Sequence, residues 1–199
     1  MDNLKRHLSP RLLVLVGIAL VLGLMRLGAY YSDFFLLKLT PLGAMALFGA
    51  AYFKRHWQAY GFPFIALFAS DVLIMHWIYP HHAAGLLYQG WPWVYGAFLV
   101  MGWCARYMLR RVRLRSWLLS CLAIVGIHWL ISNMGVWLGG GLNMATGLPY
   151  TRNISGLLAC YIAALPYEAK FLLATTLNSA WCFGLFELLC LKYPILAQK

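Results

Sequence analysis

Asp71 stands near the start of the run SDVLIMHWIYPHH, residues 70–82, where one carboxylate and three imidazoles (His76, His81 and His82) are set among apolar residues. An aspartate beside histidines is the raw material of general acid–base chemistry. Adjacent histidines can also ligate a transition metal, including the metal of a corrinoid or a haem, or titrate near neutral pH. Arg26, His128, Asn133, Thr175, Thr176 and Asn178 add further polar groups inside apolar stretches. No G-x-S-x-G, H-E-x-x-H or clustered carboxylate pair accompanies them, so they name no reaction, and no G-x-x-x-x-G-K-[ST] loop is present to bind ATP. The five cysteines are scattered, with no C-x-x-C pair, and read as small apolar packing residues.

Positioning these groups falls to apolar helices. The 199 residues are 63% hydrophobic and only 11% charged, against about 25% charged in soluble domains. This composition predicts an all-α integral membrane protein, a single transmembrane domain over residues 1–199. Six spans are expected, at about 12–31, 35–53, 61–79, 91–109, 117–138 and 170–191. The first follows LKRHLSPR but is long, is interrupted by Arg26 and lacks a small-x-small cleavage site, so it reads as a retained span and not a secretory signal. With a cytoplasmic N-terminus, Lys5, Arg6, Arg11, Lys54, Arg55, Arg106, Arg110, Arg111, Arg113, Arg115, Lys192 and Lys199 all fall inside, which places both termini in the cytoplasm. The formal charge of +11 is then mostly a collar facing anionic headgroups. Because these residues flank spans, they do not indicate nucleic acid binding.

Depth along the spans suggests which polar groups meet. At 1.5 Å per residue, Asp71 lies roughly 12 Å and Arg26 roughly 8 Å below the outer ends of their helices. A lone charge at that depth is costly, so an Asp71–Arg26 pair or shared network is expected. Glu187 and Arg106, near the inner face, form a second candidate pair by the same reasoning. His76, His128, Asn133 and Asn178 occupy the outer half, and their shared depth suggests a polar lining for an outward-facing ligand cavity. For each taken singly, the plainer alternative is a hydrogen bond that ties helices together. Ala19 with Gly23, and Ala46 with Ala50, are small residues at i, i+4, suited to close helix contact within the chain or against a partner. Between residues 139 and 167 an outer loop carries the apolar run GLLACYIAALP, too short to cross a bilayer; it reads as a lid or as an interfacial helix.

Several stretches together resemble a family of uncharacterised six-span bacterial membrane proteins: TPLGAMALFGAAYF (residues 40–53), Ser70-Asp71, SNMGVWL (132–138), GLLACYIAALPY (156–167) and FGLFEL (183–188). That layout in turn is similar to the substrate-binding S-components of energy-coupling factor (ECF) vitamin transporters, with the BtuM-type cobalamin proteins nearest. The resemblance implies a bacterial inner-membrane protein that holds a vitamin near the outer face. It also implies docking through small faces, here Ala19 and Gly23, onto an ECF coupling protein energised by separate ATPases. BtuM-type proteins place a cobalt-ligating cysteine in the loop after span three; this chain has His81 and His82 there, which become the candidate ligands for the cobalt of cobalamin.

The expected function is therefore micronutrient binding and uptake without catalysis. Two alternatives stay open: a structural or assembly protein with no ligand, and an intramembrane enzyme using Asp71, His76 and His128. A cavity at the outer face favours the first reading, a closed bundle the second, and Asp71 within hydrogen-bond reach of a histidine the third.

Overall fold

The computed structural model describes residues 9–31 and 39–197, the side chains of 29–31, 82 and 83 excepted. Among the described residues six α-helices carry the fold: α1 (Pro10–Tyr31), α2 (Leu42–Tyr52), α3 (His56–Leu73), α4 (Trp91–Met108), α5 (Leu114–Leu138) and α6 (Ile154–Lys192). α3 runs on into a π-helical turn, Ile74–Ile78, followed by a 3-10 turn at Pro80–His82. A two-stranded hairpin, β1 (Ala83–Ala84) antiparallel to β2 (Leu87–Tyr88), leads into α4. Four stretches are long and apolar enough to cross a membrane: Pro10–Gly28, His56–Ile78, Leu114–Leu138 and Ile154–Lys192. Their outward faces carry Leu20, Leu24, Ile65, Leu122, Leu130 and Leu188 exposed, as expected of surfaces that meet lipid.

The expected second span begins at residue 35, and residues 35–38 lie outside the described residues. Its helix, α2, has 11 residues, about 16 Å of length at 1.5 Å per residue, against a hydrocarbon core of ~30 Å. α2 has no polar face, and every residue but Ala51 is buried. A helix that is apolar all round belongs in the middle of a bundle, and α2 packs against all five other helices. Phe48 and Tyr52 meet Phe183 and Phe186 of α6 with ring centroids 4.6–6.0 Å apart.

Glycines let α2 approach its neighbours. A Cβ on Gly43 would fall inside the Thr175 side chain of α6. One on Gly49 would stand 2.5 Å from the Ala59 carbonyl oxygen and 2.6 Å from Pro63 Cγ in α3. Pro63 is inside α3 and has no N–H to offer the Ala59 carbonyl four residues before it, so that oxygen is left facing Gly49. The small faces anticipated for partner docking lie inside the chain instead. Ala19, Gly23, Ala46 and Ala50 are all buried, and Gly23 faces Ala66 of α3. Close packing of the chain's own helices already uses these positions, so none of the four is a free docking surface.

The apolar run at 156–166 is not a separate short element. It forms the first turns of α6, a 39-residue helix that continues through Pro166, about 58 Å long and well beyond one bilayer crossing. Asn153 starts it, its side-chain oxygen accepting from the Gly156 N–H at 2.8 Å. A proline removes one intrahelical bond, and contacts with α5 on both sides of Pro166 hold the helix together: Tyr161 Oη donates to the Leu130 carbonyl, Trp129 Nε1 donates to the Tyr161 carbonyl, and Glu168 meets His128.

Candidate functional site

Arg26 and Asp71 do meet, in the half of the bundle nearer the hairpin. Arg26 Nη2 donates to Asp71 Oδ1 at 2.6 Å, and the two side chains are 14% and 4% exposed. Arg26 Nη1 donates to Ser70 Oγ at 3.1 Å, while Ser70 Oγ passes its own proton to the Leu67 carbonyl at 2.8 Å. Tyr95 Oη donates to Asp71 Oδ2 at 3.0 Å. Both carboxylate oxygens are thus satisfied, as a buried ion pair requires, and the network joins α1, α3 and α4. Its phenol went unnoticed in sequence. The signal was a hydroxyl inside the apolar stretch WPWVYGAFLV, one turn after Trp91, which its ring meets edge to face with centroids 5.4 Å apart.

The histidines scatter. His76 is exposed, its Nδ1 2.9 Å from the Val72 carbonyl of its own helix. His81 is exposed in the 3-10 turn, and the side chain of His82 lies outside the described residues. His81 does not line the hairpin-end cavity described below, and no metal-binding cluster of histidine, cysteine and carboxylate occurs among the described residues. His128 pairs with a residue that sequence reasoning passed over: its Nδ1 lies 3.1 and 3.2 Å from the two oxygens of Glu168, under the ring of Phe171. Glu168 sits just past the apolar run expected as a lid or an interfacial helix, and helix periodicity carried across Pro166 is the signal that exposes it. Among the described residues no histidine hydrogen-bonds Asp71, and His76 and His128 have other partners, so Asp71, His76 and His128 are not brought together.

Asn133 and Asn178 are both buried and both tie backbone. Asn133 Nδ2 donates to the Trp129 carbonyl at 2.8 Å, and Asn178 Nδ2 donates to the Leu39 carbonyl at 3.1 Å, which anchors the approach to α2. Thr175, fully buried against Gly43, has a hydroxyl with no hydrogen-bond partner among the described residues. Removing an unsatisfied hydroxyl relieves a desolvation cost, so Thr175→Val should raise stability by about 1 kcal/mol in a thermal melt of the detergent-purified protein. A loss of similar size would mean that the hydroxyl is hydrogen-bonded after all.

At the other end, the Glu187–Arg106 pair does not form. Arg106 Nη1 donates to the carbonyls of Ala50 and Phe53 at 3.1 and 3.0 Å, and its Nη2 donates to that of Lys54 at 2.8 Å. Arg11 donates to the carbonyls of Tyr52 and Leu196. An α-helix leaves its last carbonyls unpaired, and α2 ends inside protein, so the two guanidiniums supply what water would otherwise give. Glu187 instead accepts from Tyr52 Oη at 2.7 Å.

A cavity of about 440 Å³ opens at the hairpin end, between the start of α4 and the end of α5. Trp93 walls it, Ser132 and Gln89 offer polar atoms, and Gly135 and Gly139 to Gly141 give it a thin floor. Trp93 can lie there only because Gly135 has no side chain, since a Cβ would fall inside the indole. The loop after α5 turns back on itself beside the cavity. Asn143 N–H donates to the Leu148 carbonyl and Tyr150 N–H to the Gly141 carbonyl, while Trp137 Nε1 donates to the Thr151 carbonyl. The Tyr150 ring is buried, which pushes its phenol above the ordinary range, with a smaller push from the thiol of Cys160.

No curated protein and no solved structure matches the chain. A family of unknown function, DUF6580, matches it over residues 6–196. With nearly the whole length matched, this helical membrane protein belongs to the DUF6580 family.

Proposed function

We propose that the protein is a multi-pass membrane protein that binds a small molecule at the hairpin end for uptake, in the manner of an S-component. The observation that carries this reading is the 440 Å³ cavity walled by Trp93 and floored by glycine, which lies within the ~300–1,000 Å³ common for ligand sites. In this reading all six helices cross or enter the bilayer, both termini are cytoplasmic and the hairpin end faces outward, with the basic residues on the inner side. The folded-back loop after α5 is a lid, and the Arg26–Asp71–Tyr95 network braces the helices below the cavity. The host is the bacterial inner membrane.

The lining sets the ligand class: a compact micronutrient with a flat or apolar ring to stack on Trp93 and one or two polar groups for Ser132 and Gln89. Cobalamin, the ligand that the BtuM resemblance implies, is far larger than drug-sized molecules and finds no cobalt ligand in the described walls, so a smaller vitamin-like compound is the better fit. Uptake would draw energy from an ECF coupling protein and its ATPases, docked on lipid-facing surfaces other than the buried small faces.

Mass spectrometry of small molecules released from the purified protein tests this directly. One compound should co-purify in near-stoichiometric amount, and Gly135→Leu, which drives a side chain into the Trp93 position, should reduce its retention at least tenfold, about 1.4 kcal/mol. Cobalamin offered in solution should not co-elute on gel filtration. Equal recovery from the parent protein and from Gly135→Leu, with the variant still folded, would rule out this cavity.

A further inference from the structure

The end of the bundle opposite the hairpin holds a second cavity, of about 710 Å³. Its walls come from the last turn of α2, the connection to α3 and the last turns of α4, with Arg11 closing one side. Arg11, Lys54, Arg106 and Arg110 line it together with His56, and among the described residues no carboxylate does. The Arg26–Asp71 ion pair and the His128–Glu168 contact lie elsewhere, so none of these four charges is paired with an acid among the described residues. Glu187 lines an adjoining hollow of about 260 Å³, shared with Arg11 and Arg110, where it accepts from Tyr52.

The four cations divide into two kinds. Arg106 and Arg11 are committed to the carbonyls that end α2, which soften their charge without cancelling it. Lys54 and Arg110 are exposed, and although the Lys54 backbone carbonyl accepts from Arg106, neither side chain makes a hydrogen bond among the described residues. Arg110 is held over the Tyr107 ring at 4.7 Å, a cation–π contact that fixes its direction and leaves its N–H groups available. Along α4, Trp103 and Tyr107 are one turn apart, line the cavity and remain 70% and 67% exposed. Such aromatic side chains settle where headgroups give way to hydrocarbon. Fixed basic groups at the floor and aromatic surface at the rim thus match an anion whose charge is compact and whose remainder is apolar.

We infer that this cavity binds a phosphate-bearing anion, the phosphate held between Lys54 and Arg110 with the α2-capping arginines behind it. An anionic phospholipid headgroup and a free phosphate compound present the same group. Guanidinium and ammonium donors suit phosphate oxygens in either, with the guanidinium able to bond two oxygens at once. The inference does not rest on the hairpin-end cavity.

Native mass spectrometry of the delipidated full-length protein in neutral detergent tests it, with dioctanoyl-phosphatidylglycerol, dioctanoyl-phosphatidylcholine and inorganic phosphate as the probes. Phosphatidylglycerol should be retained at least tenfold more tightly than phosphatidylcholine, about 1.4 kcal/mol. The double variant Lys54→Gln/Arg110→Gln should lose most of that preference. Its melting temperature should be unchanged, because neither side chain caps α2. Inorganic phosphate that binds alone and displaces phosphatidylglycerol at millimolar concentration would identify a free phosphate compound as the ligand. Phosphatidylglycerol that resists displacement would identify the lipid. Equal retention of the two lipids with no binding of phosphate would overturn the inference, as would a preference that survives in the double variant.

Discussion

Asp71→Ala is expected to destabilise the protein by about 3–5 kcal/mol, the usual cost of removing one partner of a buried ion pair. Arg26 would stay behind with a 14% exposed side chain and only Ser70 to receive one of its N–H groups. Tyr95 would lose the acceptor of its hydroxyl as well. Little water is available at that depth to take over either role, so the loss should exceed that of an ordinary core truncation at a comparably packed site. The double variant Arg26→Met/Asp71→Leu removes both charges and should recover most of the stability, because replacing a whole buried pair by apolar side chains is often neutral or better. Unfolding of the parent, Arg26→Met, Asp71→Leu and the double variant in one detergent, arranged as a double-mutant cycle, reads the coupling. A single Asp71→Ala variant that loses less than about 1 kcal/mol would show that the pair is wetted and contributes little.

The second large effect lies in α2. Gly49→Ala adds one methyl group, and that methyl would stand 2.5 Å from the Ala59 carbonyl oxygen. A side chain in the way can rotate, but a carbonyl in the backbone of α3 moves only with its helix. Overpacking costs typically 1–3 kcal/mol and more where the obstacle cannot yield, so a loss of about 3 kcal/mol is expected here. Gly17→Ala in α1 is the control. Nothing lies within 4 Å of its Cβ position, and alanine is the better helix former by about 1 kcal/mol. The two substitutions are chemically identical, so their difference in melting measures the crossing of α2 and α3 alone. A Gly49→Ala protein as stable as its parent would mean that these helices stand further apart than the geometry gives.

The same glycine marks the boundary between what was legible in the sequence and what was not. Composition alone determined that the chain is a helical membrane protein, because 63% hydrophobic residues leave too little polar surface for a soluble fold. The Arg26–Asp71 pair was equally legible, since two opposite charges at one depth in apolar helices have few other ways to be satisfied. Small residues at i, i+4 announced close helix contacts, but the pattern is the same whether the neighbour is another segment or another protein. Only the packed bundle decided that Ala19, Gly23, Ala46 and Ala50 face inward.

Tertiary structure decided the rest for reasons of the same kind. The run GLLACYIAALP is too short by itself to cross a bilayer, yet α6 continues through Pro166 because bonds to α5 on either side compensate for one missing N–H. Arg106 looked like a partner for Glu187, but the carbonyls at the end of α2 were closer in space, and a sequence does not show where a helix end is buried. Polar residues at matching depth proved to include exposed His76, backbone-tied Asn133 and the His128–Glu168 pair, because depth fixes height along a helix and leaves its rotation free. Rotation is set by which small residue lies against which large one, as Gly135 lies against Trp93 and Gly43 against Thr175, and those pairings exist only once the helices have packed.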